Sequence, residues 1–280
     1  MSTHKKALLK WFNQIPIEIY SEICECMEDV VGRCDEIEYN VYQVCAYVIN
    51  HFLDRYYRSL LIYQELFKAG LLPKREQLRV MDIGTGPGIM LYAYLDFIRF
   101  LEKYQNKQIY QMNNEIDYVE QSEGFRMFMH KYSEILMMES DYKGIMLPFH
   151  NGTYYDATEL NFSGKRLGSQ PWGPGSGLEI FVRKSFDIII YSNFLTNKRV
   201  VNLFKEQLQK GTFWMHNKGI LIIIGGNPKS PKYKPVYDMI DEVIKKKNYA
   251  TKYYEGGCIK VISHKKMSYV IQNKVNFAVN

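Results

Sequence analysis

The chain has 280 residues, 46% of them hydrophobic, which is enough to bury a sizeable core in one large α/β domain with a helical appendage. It has no run of about 18 uninterrupted apolar residues and opens without the apolar core of a signal peptide, so no membrane association and a cytoplasmic location are expected. The formal net charge of +6 is modest because 30 acidic residues nearly balance 36 basic ones, and it permits a nucleic acid partner without implying one.

The first seventy or so residues have the periodicity of helices. Apolar residues recur at helical spacing over 16–32, with proline at the start and glycine at the end. A stronger pattern covers residues 41–67 and stops before Gly70. We therefore expect a helical N-terminal region over residues 1–72, followed by an α/β domain over residues 73–280.

Strands and helices alternate after that point. Continuous apolar runs, typical of strands covered on both faces, occur at residues 78–81, 116–119, 186–191 and 219–224. Helical periodicity occurs at residues 89–104, 124–138, 198–209 and 235–247. This alternation predicts a Rossmann-like, doubly wound and mostly parallel sheet.

Two further segments belong to the predicted α/β domain. Residues 258–262 and 267–271 flank His264-Lys265-Lys266 and predict a β-hairpin that adds antiparallel strands to the sheet. Residues 161–184 hold many glycines and show no sustained period, so we expect a long loop there.

The cysteines favour free thiols. An odd number does not make a disulfide framework, and the spacing lacks the paired Cys-x-x-Cys motifs of zinc and iron-sulfur sites. We expect no metal, with a metal site as the alternative. The five are Cys24, Cys26, Cys34, Cys45 and Cys258.

A glycine-rich segment follows the first predicted strand. It reads Val80-Met81-Asp82-Ile83-Gly84-Thr85-Gly86-Pro87-Gly88. Ligands of doubly wound sheets bind beyond the carboxyl ends of the strands, near the point where strand order reverses. Glycines also let a ligand approach the main chain closely, so this loop is the natural ligand site.

Two phosphate-binding interpretations fit this loop poorly. A dinucleotide fingerprint needs glycine where the chain has Ile89, and the carboxylate of Asp82 would repel a pyrophosphate. The phosphate loop of nucleoside triphosphatases needs Gly-Lys-Ser/Thr, which does not follow. An acid ahead of the glycines instead favours a cationic ligand.

The segment resembles the first motif of class I S-adenosylmethionine-dependent methyltransferases. The resemblance implies S-adenosyl-L-methionine as cofactor, with a loop that binds it through Asp82, Gly84, Thr85, Gly86 and Gly88. Residues 118–125 resemble the end of the family's second strand. By that resemblance Glu120 accepts hydrogen bonds from both ribose hydroxyls.

The resemblance continues along the later strands. Residues 155–160 resemble the third-strand turn, which implies that Asp156 accepts a bond from the adenine amino group. Residues 186–193 resemble the fourth strand, after which methyl group and acceptor meet, and Ser192 joins the implied cofactor site. Two features depart from the family pattern: Glu120 lies further from the glycine loop, and the 161–184 insert separates the third strand from the fourth.

No side chain is identified as catalytic. Methyl transfer mainly requires alignment of the acceptor, and Tyr191 and Asn193 could provide it, although residues at strand ends more often serve packing. His216 and His264 are conceivable bases, but single histidines are more often surface or packing residues. The Asp/Asn-Pro-Pro-aromatic signature of amino-group enzymes is absent, since the chain has Ser192-Asn193-Phe194-Leu195.

The acceptor is left open between RNA, protein and a small molecule. RNA is favoured because cations hold phosphates and aromatic rings stack on bases. The alternative is that the lysines form a solvated face and the tyrosines belong to a tyrosine-rich core. The residues concerned are Lys229, Lys232, Lys234, residues 245–247 and the run Arg55-Tyr56-Tyr57-Arg58.

The sequence therefore predicts a methyltransferase of undetermined acceptor. The alternative is a non-catalytic or regulatory protein that binds S-adenosylmethionine and has kept the fold.

Overall fold

The computed structural model describes most of the chain. The described residues are 3–32, 39–73, 78–105, 115–142, 186–213, 215–226, 230–244, 249–253 and 259–264. They belong to two units. Unit 1 comprises Met1–Ile62, Thr85–Phe97 and Ser122–Gly152, and unit 2 comprises Tyr63–Gly84, Ile98–Gln121 and Thr153–Asn280. The boundary expected between residues 72 and 73 stays a prediction.

Unit 1 is helical in its described residues. Its helices are α1 (Thr3–Phe12), α2 (Tyr20–Glu25), α3 (Met27–Gly32), α6 (Glu123–Met137) and the first parts of α4 (Val41–Lys68) and α5 (Ile89–Gln105), with single turns of 3-10 helix at Ile17–Ile19 and Ser140–Tyr142. The sequence patterns did not predict α1, which buries His4, Ala7 and Trp11 along one side. The Trp11 ring meets Phe128 of α6 edge-on, with centroids 4.9 Å apart.

The helix expected over residues 16–32 is divided into shorter pieces. A 3-10 turn precedes α2, and Cys26 separates α2 from α3. Helical bonding nevertheless continues through the break, because the Cys26 N–H donates to the Glu22 carbonyl and the Val30 N–H donates to the Cys26 carbonyl.

The long helix α4 agrees with its predicted bounds and has a defined start. The Asn40 side chain accepts hydrogen bonds from the N–H groups of Tyr42 and Gln43, both at 3.0 Å. The Gln43 side chain accepts the Asn40 N–H in return. This reciprocal capping satisfies donors that an uncapped helix leaves open.

Unit 2 contains the sheet. Its strands are β1 (Arg79–Ile83), β2 (Glu115–Val119), β3 (Phe186–Ser192), β4 (Met215–Ile224), β5 (Tyr249–Tyr253) and β6 (Ile259–His264). Their order across the sheet is β2-β1-β3-β4-β6-β5. The first four strands are parallel, and β6 runs antiparallel to both β4 and β5. The predicted α/β class with a doubly wound, mostly parallel sheet is confirmed.

The end of the chain differs in detail from the expected hairpin. His264, expected in a turn, lies in β6 and pairs with Tyr249 of β5. The partner strand therefore precedes β6 along the chain. Residues 267–271 lie outside the described residues, so the hairpin with that segment stays a prediction.

Three helices cover one face of the sheet. They are α7 (Lys198–Leu203), α8 (Lys205–Phe213) and α9 (Lys234–Ile244), where the sequence had predicted one helix over 198–209 and another over 235–247. Alternate residues of the strands, such as Ile83, Tyr191 and Ile223, pack against these helices in one apolar core. This packing fixes the strand ends from which the candidate site is built.

No helix in the described ranges combines the length and apolar character needed to cross a membrane.

Candidate functional site

The sheet reverses its winding direction between two neighbouring strands. From β1 the chain moves outward to β2 on one side, and it later returns to β3 and β4 on the other side. The carboxyl ends of β1 and β3 therefore flank the position where ligands of doubly wound sheets bind. Residues that follow β1, β2, β3 and β4 on this side form the carboxyl edge of the sheet.

Strand register brings three predicted site residues to this edge. Asp82 pairs with Tyr118 of β2 and Ile190 of β3, so it lies near the end of a central strand. Glu120 follows the last residue of β2, and Ser192 is the last residue of β3. Asp82 is fully buried and Glu120 is 8% exposed. The sequence thus predicted two buried carboxylates at the carboxyl ends of adjacent strands, one near the end of β1 and one directly after β2.

The loop after β1 adopts a conformation that favours glycine. Gly84, Gly86 and Gly88 have φ values of +69°, +56° and +77°. The Gly88 N–H closes the turn by donating to the Thr85 carbonyl at 3.1 Å, and α5 begins at Ile89. Residues with a Cβ rarely adopt these φ values, so the backbone conformation of the loop favours glycine at all three positions.

Gly84 and Gly86 have opposite surroundings. A Cβ on Gly84 would lie 2.2 Å from Cδ2 of Phe194, so the Phe194 ring covers this glycine. The Gly84 N–H is also used, since it donates to the Val119 carbonyl at 2.9 Å. A Cβ on Gly86 would meet no atom within 4 Å. Gly86 is therefore the position where a ligand can approach the main chain.

The turn after β3 has an unusual backbone. Asn193 has a φ of +53° and is the one non-glycine with positive φ among the residues that the structure describes. Its N–H donates to the Ile224 carbonyl at 2.8 Å, and its amide Nδ2 donates to the Ser192 hydroxyl at 3.2 Å. Strained backbone of this kind occurs often at functional sites. The role of Asn193 in positioning an acceptor stays a prediction.

Tyr191 lies in the core below this turn. Its side chain is fully buried, and within the described part of the chain its hydroxyl has no hydrogen-bond partner. Burial raises the pKa of Tyr191 far above its ordinary value. Tyr191 is therefore a neutral phenol at physiological pH, which can donate a hydrogen bond but cannot serve as a base.

The end of β4 contains a pair of glycines that the sequence analysis missed. The Tyr233 ring covers Gly226, where a Cβ would lie 1.9 Å from the ring. The Tyr237 hydroxyl donates to the Gly226 carbonyl at 3.2 Å. The start of α9 is thereby fixed to the end of β4. The sequence did contain a signal for this contact, because glycines directly after an apolar strand often mark a place where another group packs closely against the backbone.

The two histidines considered as bases belong to the other edge. His216 lies at the amino end of β4. His264 lies next to Ser263, which pairs with Ile220, and β6 runs antiparallel to β4. Met215, the residue before His216, pairs with Phe186 at the amino end of β3, whereas Ile224 pairs with Ser192 at its carboxyl end. Neither histidine therefore lies at the carboxyl edge, where the predicted cofactor site is, and their suggested roles as bases stay untested.

Residues of the Arg55–Arg58 run of α4 contact other side chains of unit 1. The Arg55 guanidinium lies over the Tyr47 ring at 4.9 Å from its centroid. Arg58 pairs with Asp54 at 2.5 Å, and the Tyr56 hydroxyl donates to Asp96. These contacts support the structural interpretation of the run. Asp156, Lys229 and residues 245–247 lie outside the described residues, so their roles stay predictions.

The described cysteines are free thiols. Cys24 is exposed, Cys26 is partly buried and Cys45 is buried. Burial raises the pKa of Cys45 to about 11, so this thiol stays protonated and unreactive at neutral pH. Across the described ranges, no group of three His, Cys, Asp or Glu side chains is placed to hold a metal ion.

No protein family model matches the chain, and no curated protein matches its sequence. Solved structures with similar folds include a methyltransferase from Pyrococcus furiosus at 15% identity, covering 75% of this chain and 83% of that chain with a TM-score of 0.40. They also include a SAM-dependent methyltransferase from Aquifex aeolicus at 13% identity, covering 81% and 98% with a TM-score of 0.44. These identities and TM-scores are too low to assign an activity to the chain.

Proposed function

We propose that the chain is a methyltransferase that uses S-adenosyl-L-methionine. The observation that carries this proposal is the pair of buried carboxylates, Asp82 and Glu120, at the carboxyl ends of the adjacent strands β1 and β2, where a glycine turn follows β1 and the sheet reverses. A cationic adenosyl amino acid matches a site with this charge, and a pyrophosphate does not.

The residues fit this cofactor. The open space at Gly86 lets an adenosyl group lie against the main chain. Glu120 has two carboxylate oxygens that can accept hydrogen bonds from the two ribose hydroxyls. The negative charge of Asp82 favours an ammonium and a sulfonium nearby while excluding anions. When bound, the cofactor supplies a methyl carbon that is already activated by its sulfonium leaving group.

The protein's own contribution to transfer is alignment. Ser192 ends β3, the strand next to β1, and Asn193 follows it. The hydrogen bond from the Asn193 N–H to the Ile224 carbonyl fixes this turn. The Asn193 amide and the Ser192 hydroxyl can orient an acceptor without themselves reacting. Orientation of two reactants contributes a large part of the rate enhancement in displacement reactions.

Calorimetric titration with S-adenosylmethionine and its demethylated product tests the proposal. The native protein should bind both, and Asp82→Asn, which keeps the size of the side chain but removes its charge, should weaken binding by about 10- to 100-fold. Absence of binding by the folded native protein would contradict the proposal.

Asp187→Asn provides a matched control for this experiment. Asp187 is also a buried strand carboxylate, but it lies at the amino edge, where it accepts the Arg79 N–H at 3.0 Å. Its replacement should lower the free energy of unfolding and leave cofactor affinity unchanged. Equal loss of affinity in the two variants would mean that Asp82 acts through stability alone.

A non-catalytic role is the second candidate, and one contact favours it. Phe194 covers Gly84, so part of the glycine turn is occupied by the protein itself. A binding or regulatory protein should bind the cofactor but transfer no radiolabelled methyl group to cellular RNA, protein or metabolite extracts. Label in any one of these fractions would exclude it.

A further inference from the structure

The positive charge of the chain is concentrated in one segment. Residues 188–237 contain eight of the 36 lysines and arginines and one of the 30 acidic residues, Glu206. The rest of the chain therefore has 28 basic and 29 acidic residues and is almost neutral. These eight cations lie between Ile188 in β3 and Tyr237 in the first turn of α9, while Asp187 of β3 and Asp238, Asp241 and Glu242 of α9 lie just outside this stretch.

Four of these cations lie at the carboxyl edge. Lys198 and Arg199 begin α7, which follows β3, while Lys232 and Lys234 flank the start of α9, which follows β4. All four side chains are exposed. The strands are neighbours, with Ser192 paired to Ile224 at their ends, so both helix starts lie on the same side of the sheet. We call these four residues the cationic edge.

Helix stability does not explain the cationic edge. The N-terminal end of a helix carries partial positive charge, so lysine and arginine are unfavourable there and acids are favourable. Neither α7 nor α9 has an acid in its first turn. The ion pair of Lys234 with Asp238 at 3.1 Å is exposed on both sides and adds little stability.

Two half-buried aromatic rings belong to the same chain segments as the cations. Phe194 follows β3, and Tyr233 lies between Lys232 and Lys234, with the Lys232 ammonium 5.5 Å from its ring centroid. Cations that follow a backbone together with rings on which bases stack are typical of surfaces that bind single-stranded nucleic acid. A single strand also leaves its bases accessible to a transferred methyl group.

We propose that the methyl acceptor is a single-stranded nucleic acid whose phosphodiester backbone binds the cationic edge. This inference rests on the proposed function, because the cationic edge adjoins the turn at Ser192 and Asn193 where an acceptor would be aligned. RNA and DNA have the same phosphodiester backbone, so a comparison of RNA and DNA strands of the same sequence tests which of them is the acceptor.

Fluorescence anisotropy with labelled 20-nucleotide RNA and DNA strands of the same sequence measures the interaction at several salt concentrations. The test variant carries Lys198→Gln, Arg199→Gln, Lys232→Gln and Lys234→Gln. Each lost phosphate contact should reduce affinity by about 5-fold at 0.1 M salt and the slope of log K against log salt by about 0.7. Tighter binding of RNA than DNA would identify RNA, and equal binding would mean recognition of the backbone alone.

The control variant has the same net charge. It carries glutamine in place of four exposed lysines that are not part of the cationic edge, Lys6, Lys68, Lys103 and Lys131. Its affinity should stay within about 3-fold of the native value. Equal losses in both variants, or no binding of either strand by the native protein at low salt, would overturn the inference.

Cofactor titration of the same samples keeps the two proposals separate. The cationic-edge variant should bind S-adenosylmethionine like the native protein, because none of the four changed residues is a predicted cofactor contact. Strand binding without cofactor binding would contradict the methyltransferase proposal while leaving the cationic edge as a nucleic acid surface. Cofactor binding without strand binding would contradict only the acceptor.

Discussion

The two halves of the carboxyl edge have opposite charge and opposite exposure. On the β1 and β2 half, the carboxylates of Asp82 and Glu120 are buried. On the β3 and β4 half, the charged groups are exposed lysines and arginine. A buried charge is costly unless it meets a fixed partner, whereas exposed cations act over a range of geometries. The first half therefore suits one small ligand of defined charge, and the second suits a flexible polyanion.

The largest expected effect comes from the contact that joins the two halves. Phe194 from the β3 side covers Gly84 from the β1 side. Gly84→Ala should lower the free energy of unfolding by about 2–5 kcal/mol, because a Cβ would collide with the ring and the left-handed backbone would be strained. Urea denaturation of the native and variant proteins measures the change.

A double-mutant cycle separates the collision from the strain. Adding Phe194→Ala to Gly84→Ala should recover about 1–3 kcal/mol relative to the sum of the single changes. Gly86→Ala should show strain alone, about 1–2 kcal/mol, because its Cβ enters open space. Equal destabilisation by the two glycine changes, with no coupling to Phe194, would mean that the two glycines do not differ as described.

The sequence was sufficient for the elements with strong local patterns. The four parallel strands each contain an apolar run, and α4 repeats its apolar face over many turns, so these elements were predicted, although β4 begins at Met215 and not at Gly219. The ten residues of α1 and the five of β5 are too short for their periodicity to stand out. The break at Cys26 was missed for a different reason, since the residues on both sides of it keep a helical pattern.

The candidate site was predictable where it depends on position along a strand. Asp82, Glu120 and Ser192 were assigned to strand ends, and parallel pairing then brought those ends to one edge. The ring of Phe194 on Gly84 and that of Tyr233 on Gly226 were not predicted. Such contacts join residues whose local patterns carry no information about each other, and they depend on how loops fold over the sheet.

An intermediate effect is expected in the core below the β3 half. Tyr191→Phe removes a buried hydroxyl that has no partner among the described residues. The free energy of unfolding should therefore stay unchanged or rise by about 1 kcal/mol. Tyr237→Phe is the matched control and should lose about 1 kcal/mol, since its hydroxyl bonds to Gly226. A loss of stability in Tyr191→Phe as large as in the control would show that the hydroxyl has a partner in the native protein.

The pH dependence of stability provides an independent check on Tyr191. Burial raises its pKa in the folded protein above the ordinary value of 10.0, so the folded state holds the proton more tightly than the unfolded state. This contribution to stability is complete below about pH 10 and declines as the pH rises further. As the pH rises above 10, the free energy of unfolding should therefore fall less for Tyr191→Phe than for the native protein. Urea denaturation in alkaline buffers measures the difference.

The smallest expected effect concerns the turn at Asn193. Asn193→Gly keeps the left-handed backbone without strain and should change the free energy of unfolding by less than about 0.5 kcal/mol, whereas Asn193→Ala should cost about 1 kcal/mol. Because the glycine variant keeps the turn and loses only the amide, its methyl transfer can be compared at equal stability. Unchanged cofactor affinity with reduced transfer to the strand would assign acceptor alignment to the Asn193 side chain. Unchanged transfer would limit Asn193 to fixing the turn, and the exposed half of the edge would then align its acceptor through other groups.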